Sequence, residues 1–213
     1  MTDLYPVFLN LQNRLCLVVG GGSVAERKIS SLLACGARVR VVSPEVTPKI
    51  MEWYLEGRLE LRQRVYQTID LEGIFLVFAA TNFSEVNNNI IRDCREKQLI
   101  VNVADNPQQS NFFVPSVVRR GKFAIAVSTS GASPLLAARV KRKLEQSFGP
   151  EYEEFMDILI EVRQQVLQDI EDITLRQKIF KELVDSDILE LLREKKYDQV
   201  KERIRHAYCG YRS

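Results

Sequence analysis

The sequence predicts an α/β protein: a Rossmann-type parallel sheet, then a small α+β segment, then an all-α C-terminal domain. Three observations lead there. Short apolar runs alternate with helical periodicities over roughly the first hundred residues, as in βαβ units. A run of three glycines joins the first apolar run to the first helix. Beyond Gly149-Pro150 only helical stripes remain.

Arg14-Leu15-Cys16-Leu17-Val18-Val19-Gly20 is a short apolar run ending in glycine, which reads as a strand buried on both faces. Val24 to Cys35 carries apolar residues at Val24, Ile29, Leu32 and Leu33, a helical spacing, and Gly36 closes it as a C-terminal cap. Arg38-Val39-Arg40-Val41-Val42-Ser43 is a second strand, stopped by Pro44. Ile50 to Glu56 reads as a helix, Leu59 to Arg64 as a strand and Ile74 to Ala80 as a buried strand. Phe83 to Lys97 is a helix with Val86, Ile90, Ile91 and Cys94 on one side, and Leu99 to Val103 is the next strand. After Asn106-Pro107 the pattern changes. Phe112 to Arg119 and Phe123 to Ser128 are two strands joined by Arg120-Gly121-Lys122, which is hairpin spacing. A helix opens at Pro134, a residue suited to a first helical turn, and runs to Phe148. Beyond it, Phe155, Ile158, Leu159, Val162, Val166, Leu167 and Ile170 form a helical stripe. Thr174-x-x-Gln177 reads as a capping box opening another helix, and two short helices come after Asp185-Ser186-Asp187.

Composition narrows the chemistry. Of 213 residues 46% are hydrophobic and 27% charged, with a net charge of +2, so no global field grips nucleic acid. No apolar run approaches the roughly 20 residues of a membrane helix, and the start of the chain lacks the pattern of a signal peptide. The four cysteines, Cys16, Cys35, Cys94 and Cys209, are scattered without a C-x-x-C pair and fit a reducing cytoplasm. The single histidine, His206, excludes a histidine triad or a multi-histidine metal site within one chain. No metal site is expected. Acid–base chemistry falls to carboxylates, hydroxyls, lysines or a cofactor.

Val18-Val19-Gly20-Gly21-Gly22-Ser23-Val24-Ala25 fits G-x-G-x-x-A. Gly20 permits the tight turn, Gly22 lets the backbone approach a pyrophosphate, and Ala25 lets the helix lie close to the strand. The helix start, with Ser23 and Val24, offers N–H groups and a positive dipole end to phosphates. The acidic residue expected after the second strand is missing. Val42-Ser43-Pro44-Glu45 stands there instead, with Ser43 and Pro44 as ribose neighbours and Arg40 nearby. No arginine stands immediately at the strand end for a 2′-phosphate, and NAD is expected rather than NADP. Thr81 and Asn82 end the strand Ile74–Ala80, where they can line the cofactor or cap the following helix.

Pro6-Val7-Phe8-Leu9-Asn10-Leu11, the glycine turn with Glu26-Arg27-Lys28, and Ala79-Ala80-Thr81-Asn82 come one after another in order. With Asn102-Val103-Ala104-Asp105 and Ser128-Thr129-Ser130-Gly131-Ala132-Ser133-Pro134, they resemble the precorrin-2 dehydrogenase family over residues 1 to about 148. That family includes the dehydrogenase–ferrochelatase part of siroheme synthases. The resemblance implies oxidation of precorrin-2 to sirohydrochlorin with NAD as hydride acceptor. It implies Asp105 as the catalytic aspartate, against the plain reading of a turn residue before Asn106-Pro107. It makes Ser128, Thr129 and Ser130 a carboxylate-binding turn for the tetrapyrrole, with Arg119 and Arg120 drawing substrate in; the plainer readings are capping by Ser133 and a solvated basic face. The hairpin's strand edges lack an evident cover and seek a partner, and the resemblance implies that this partner is the same segment of a second copy, a homodimer. The expected organisation is residues 1–113 for the NAD-binding domain, 114–148 for dimerisation and 149–213 for a helical domain. Two alternatives stay open: a bifunctional enzyme that also inserts Fe²⁺ into sirohydrochlorin, and a non-catalytic dinucleotide-sensing module.

Overall fold

The structure, a computed structural model, describes residues 4–104 and 106–209. The chain divides into two compact units between Val114 and Pro115.

The first unit is a five-stranded parallel sheet with helices on both faces, as the alternation of apolar runs predicts. Its strands are β1 (Leu15–Val19), β2 (Arg38–Val42), β3 (Glu60–Arg62), β4 (Leu76–Ala79) and β5 (Ile100–Val103), in the order β3-β2-β1-β4-β5. Between them run α1 (Ser23–Ala34), α2 (Pro48–Leu55) and α3 (Ser84–Glu96). Alternation along β1 sends Cys16 and Val18 to one face, where they pack with Ala25, Ile29 and Leu32 of α1 and Ile50 and Trp53 of α2. Leu17 and Val19 go to the other, against Ile90, Ile91 and Cys94 of α3. Both faces are covered, which is why the strands read as unbroken apolar runs.

Register places the site. Val19 pairs with Val42 on one side and with Ala79 on the other, and Ala79 pairs with Val103. Four strands therefore end at one level. The ladders each add one further bond there: Gly20 N–H to Val42 O at 3.0 Å, Ala80 N–H to Val19 O at 2.8 Å, and Ala104 N–H to Ala79 O at 2.9 Å. The sequence order reverses between β1 and β4, so the crevice where open α/β sheets bind ligands opens above these strands.

The second unit begins with an antiparallel hairpin, β6 (Ser116–Arg120) and β7 (Phe123–Val127), and continues into α4 (Pro134–Ser147). Four helices complete it: α5 (Glu151–Asp169), α6 (Ile173–Val184), α7 (Ile188–Arg193) and α8 (Tyr197–Cys209). Their core is Phe155, Val162, Val166, Ile179, Leu183, Ile188 and neighbours. Phe123, Phe148 and Tyr152 form an aromatic cluster with centroids 5.0–5.5 Å apart.

Several local expectations shift. The helix after Ile170 is capped by Asp172, whose carboxylate accepts from Thr174 and Leu175 N–H, rather than by Thr174. A carboxylate is the stronger cap, and it starts the helix two residues earlier, at Ile173. The strand expected from Phe112 begins at Ser116, because the chain before it is bonded to β5: Asn111 N–H donates to Val101 O, and Phe112 O accepts from Asn102. Short 3-10 turns at Thr68–Leu71 and Pro107–Gln109 carry no periodicity that sequence could reveal. No described helix is long and apolar enough to cross a membrane.

Candidate functional site

A cavity of about 780 Å³ lies over the ends of β1, β2 and β4, within the size range of small-molecule sites. The glycine turn forms its floor. Gly20 has φ +123°, and a Cβ there would stand 2.2 Å from Ala80 O, so the turn is tight against the β4 end. A Cβ on Gly21 would stand 1.9 Å from Glu45 O. Gly22 differs: it borders the cavity, and a Cβ there would meet no protein atom within 4 Å. Two glycines thus fit the chain to itself, and the third leaves space free. Gly22 is also the N-cap of α1 and makes no side-chain cap bond. The first N–H groups of α1, at Ser23 and Val24, have no intrahelical acceptor. Ala25 is fully buried, which lets α1 sit close to the strand. A polyanion of pyrophosphate size fits this cradle, with donors, a positive dipole end and no obstructing side chain.

The β2 end supplies one wall. Ser43, Pro44, Glu45, Val46 and Thr47 all border the cavity. The Ser43 hydroxyl donates to Glu45 O at 2.6 Å, which leaves its oxygen free to accept. Arg40 points elsewhere: it pairs with Glu60 at 2.8 Å and donates to the carbonyls of Asp70 and Glu72. Among the described residues bordering the cavity there is no lysine or arginine.

Thr81 and Asn82 border the same cavity, where β4 ends. The Thr81 hydroxyl donates to Asn87 Oδ1 at 2.8 Å and accepts from Phe83 N–H, while Asn87 Nδ2 donates to Thr81 O at 3.0 Å. The N-cap of α3 is Phe83, without a side-chain cap, so Asn82 is spared that duty. Thr81 and Asn82 also border a second cleft of about 240 Å³ towards β5, lined by Ser84, Asn87, Asn88, Val103, Asn106 and Gln109. Ala104 and Asn106 flank it in sequence; Asp105, between them, lies outside the described residues.

Sequence reasoning did not find the far wall, made by Val65, Tyr66 and Val86. Val65 and Tyr66 come after β3 as Ser43 comes after β2, so the same rule of strand ends would have found them. Tyr66 is held by α3: its hydroxyl donates to Asp93 at 3.0 Å, and Thr68 donates to the same oxygen at 2.7 Å. Burial pushes the Tyr66 phenol up, and Asp93 beside it adds to the rise. Burial would also raise the Asp93 carboxyl, but the Thr68, Tyr66 and Arg92 donors outweigh it and hold the group below the usual carboxylate range.

The remaining predicted residues lie in the second unit. Ser128, Thr129 and Ser130 form a turn that closes on itself: Ser128 Oγ accepts from Ser130 N–H, and Thr129 Oγ1 accepts from Ser133 N–H. Ser130 has φ +52°, a strained conformation for serine. Ser133 caps α4 through Leu136 N–H. The Arg120 guanidinium donates to Phe148 O at 3.0 Å and Glu145 O at 3.2 Å, tying down the α4 end, whereas Arg119 is exposed. His206 lies against Glu182 at 2.8 Å on the last helix.

Known proteins resemble this chain in sequence and in fold. A family model described as putative NAD(P)-binding matches residues 7–116, and one described as sirohaem biosynthesis protein central matches 120–147. A siroheme synthase of Thioalkalivibrio sulfidiphilus is 34% identical over 205 residues, 96% of this chain and 42% of that protein. One of Methylobacillus flagellatus is 39% identical over 166 residues, 78% of this chain and 36% of that protein. The chain thus spans about two fifths of the siroheme synthases it matches. A precorrin-2 dehydrogenase of Priestia megaterium is 37% identical over 160 residues, 75% of this chain and 79% of that protein. The solved structure of SirC, a precorrin-2 dehydrogenase, superposes with TM-score 0.79 at 31% identity, covering 93% of this chain and all of that one.

Proposed function

The chain belongs to the precorrin-2 dehydrogenase family, and on that premise we propose that it oxidises precorrin-2 to sirohydrochlorin in siroheme synthesis. The observation that carries the reading is the cradle at Gly22, open where a phosphate needs space and lined by the free N–H groups of α1. A bound nicotinamide dinucleotide supplies the hydride acceptor: precorrin-2 and NAD⁺ become sirohydrochlorin, NADH and a proton.

The chain's own residues bind and orient. Gly20, Gly22, Ser23 and Val24 take the pyrophosphate, Ser43 and Pro44 the adenosine ribose, and Thr81 and Asn82 the middle of the dinucleotide. The cofactor in this reading is NAD rather than NADP. A 2′-phosphate beside Ser43 would find no cation bordering the cavity and would face Glu45. Asp105 accepts the proton lost from the substrate or orients a pyrrole N–H; in sequence it comes two residues after Val103, the last residue of β5. Ser128, Thr129 and Ser130 take substrate carboxylates. Of the two arginines, Arg119 is the one whose guanidinium is free to draw the substrate in, since Arg120 already serves the α4 carbonyls. The hairpin segment joins two copies, supported by its two open strand edges and by Leu135, 75% exposed on α4.

Titration of the purified chain with NAD⁺ and NADP⁺ tests the cofactor assignment. NAD⁺ should bind at least about tenfold tighter, the difference a missing phosphate partner makes. Equal affinities would remove the preference.

A further inference from the structure

Glu26, one turn into α1, is left without a role by the dinucleotide reading. An acidic residue so close to the helix start opposes the phosphates expected there. A helix-dipole role would need no partner, yet this carboxylate has one. Its Oε2 accepts the Thr47 hydroxyl at 2.7 Å, across 21 residues of sequence. Thr47 is the N-cap of α2, where its oxygen also accepts from Ile50 N–H. Its own N–H donates to Gly21 O at 2.9 Å. Between Ser43 and Thr47 the loop closes over the glycine turn, with the space a Gly21 Cβ would need filled by Glu45 O. Glu26 and Gly21 therefore both hold Thr47, the α2 end of the Ser43–Thr47 loop, one through its hydroxyl and the other through its backbone N–H.

We propose that Glu26 is a positioning residue for the dinucleotide: through Thr47 it clasps the Ser43–Thr47 loop in place as the ribose-side wall before the cofactor arrives. The proposal rests on the dinucleotide reading of the cavity. A loop already ordered costs less to close on a ligand, so the clasp acts on affinity rather than on the chemical step. Glutamine in place of Glu26 keeps an oxygen for the Thr47 hydroxyl; alanine does not.

The test compares wild type, Glu26→Ala and Glu26→Gln as full chains. Dissociation constants for NAD⁺ and ADP-ribose are measured by calorimetric titration, alongside melting temperature and steady-state KM and kcat for NAD⁺ with precorrin-2. Glu26→Ala should weaken both ligands about five- to tenfold, the size of one hydrogen bond. Its kcat at saturating NAD⁺ should stay within about twofold, as expected when only binding is lost. Glu26→Gln should restore wild-type affinity. Unchanged affinity in Glu26→Ala overturns the proposal, as does a Glu26→Gln as weak as the alanine variant. A lowered melting temperature with wild-type affinity overturns it too, because the bond would then be structural only. Wild type that binds neither ligand would overturn the dinucleotide reading itself, and the clasp with it.

Discussion

Three consecutive glycines do three different jobs, and substitutions should separate them. Gly20→Ala puts a methyl 2.2 Å from Ala80 O at a positive φ, so it should lower the melting temperature by the equivalent of about 2 kcal/mol or more. Gly22→Ala meets nothing; it should melt like wild type yet bind NAD⁺ about tenfold more weakly, since the methyl would enter the space proposed for the phosphate. Gly22→Asp should abolish binding, adding a charge to the obstruction. Thermal melts and a titration of each variant check this, and a Gly22→Ala that binds like wild type would remove the phosphate from that position. The sequence pattern made Gly20 and Gly22 legible. It said nothing of Gly21, whose constraint comes from Glu45, a residue brought over it by the bend at Pro44. Asp105 is the residue expected to matter to chemistry alone. Asp105→Asn should keep NAD⁺ affinity and slow precorrin-2 oxidation at least about tenfold, a floor for lost acid–base catalysis. Wild-type turnover in both Asp105→Asn and Asp105→Ala would return it to the status of a turn residue.

Among the elements, the segment after β3 was the least legible. Leu59 to Arg64 reads as an ordinary strand, yet only Glu60–Arg62 pairs, at the sheet edge. From Arg62 to Asp70 the chain is held by side chains. Asp70, wholly buried, accepts both nitrogens of Arg64 at 2.7 and 2.8 Å, Arg62 at 2.6 Å and Gln67 N–H at 2.9 Å. Burial alone would push this carboxyl up; the Arg64 guanidinium, Gln67 N–H and Arg62 outweigh it and hold the group below the usual carboxylate range. Its folded pKa is lowered, so its contribution to stability is present above the unfolded value of about 3.9 and is lost as pH falls through the lower folded value. Asp70→Asn should cost about 2–3 kcal/mol at neutral pH, less than a fully buried pair because both arginines reach solvent. The deficit relative to wild type should shrink as the pH is taken below about 4. Denaturant unfolding across pH measures it, and a deficit independent of pH would deny Asp70 its charge-dependent role. Such a knot leaves no periodic trace, because it joins an edge strand to a turn through charges that individually look like surface. The buried strands and α1–α3 were legible for the opposite reason: two covered sheet faces force unbroken apolar runs and one-sided helices.

At the scale of the molecule, the chain divides after Val114, with alternating strands and helices before the division and a hairpin and helices after it. The parallel sheet and its ligand-bearing edge could be read from residues 14–103, because register is set by the strands themselves. The substrate side could not. Ser128, Thr129, Ser130 and Arg119 share no periodicity with the glycine turn, and only the family resemblance relates them to the same reaction. Assembly is likewise a matter of surfaces. If the hairpin segment joins two copies, sedimentation at micromolar concentration should give a dimer, and a charge placed on Leu135 should shift it to monomer. A wild-type monomer would retract that interface.

A dinucleotide held at the Gly22 cradle should be coupled to tetrapyrrole oxidation. The most direct measurement is the formation of NADH when the purified chain is given NAD⁺ and enzymatically made precorrin-2, with sirohydrochlorin monitored in the same mixture. The expected result is NADH and sirohydrochlorin appearing in equal amounts and at equal rates, with Gly22→Asp reducing both to the protein-free background. Binding of NAD⁺ with no NADH formed above that background would contradict a dehydrogenase and leave a dinucleotide-sensing module.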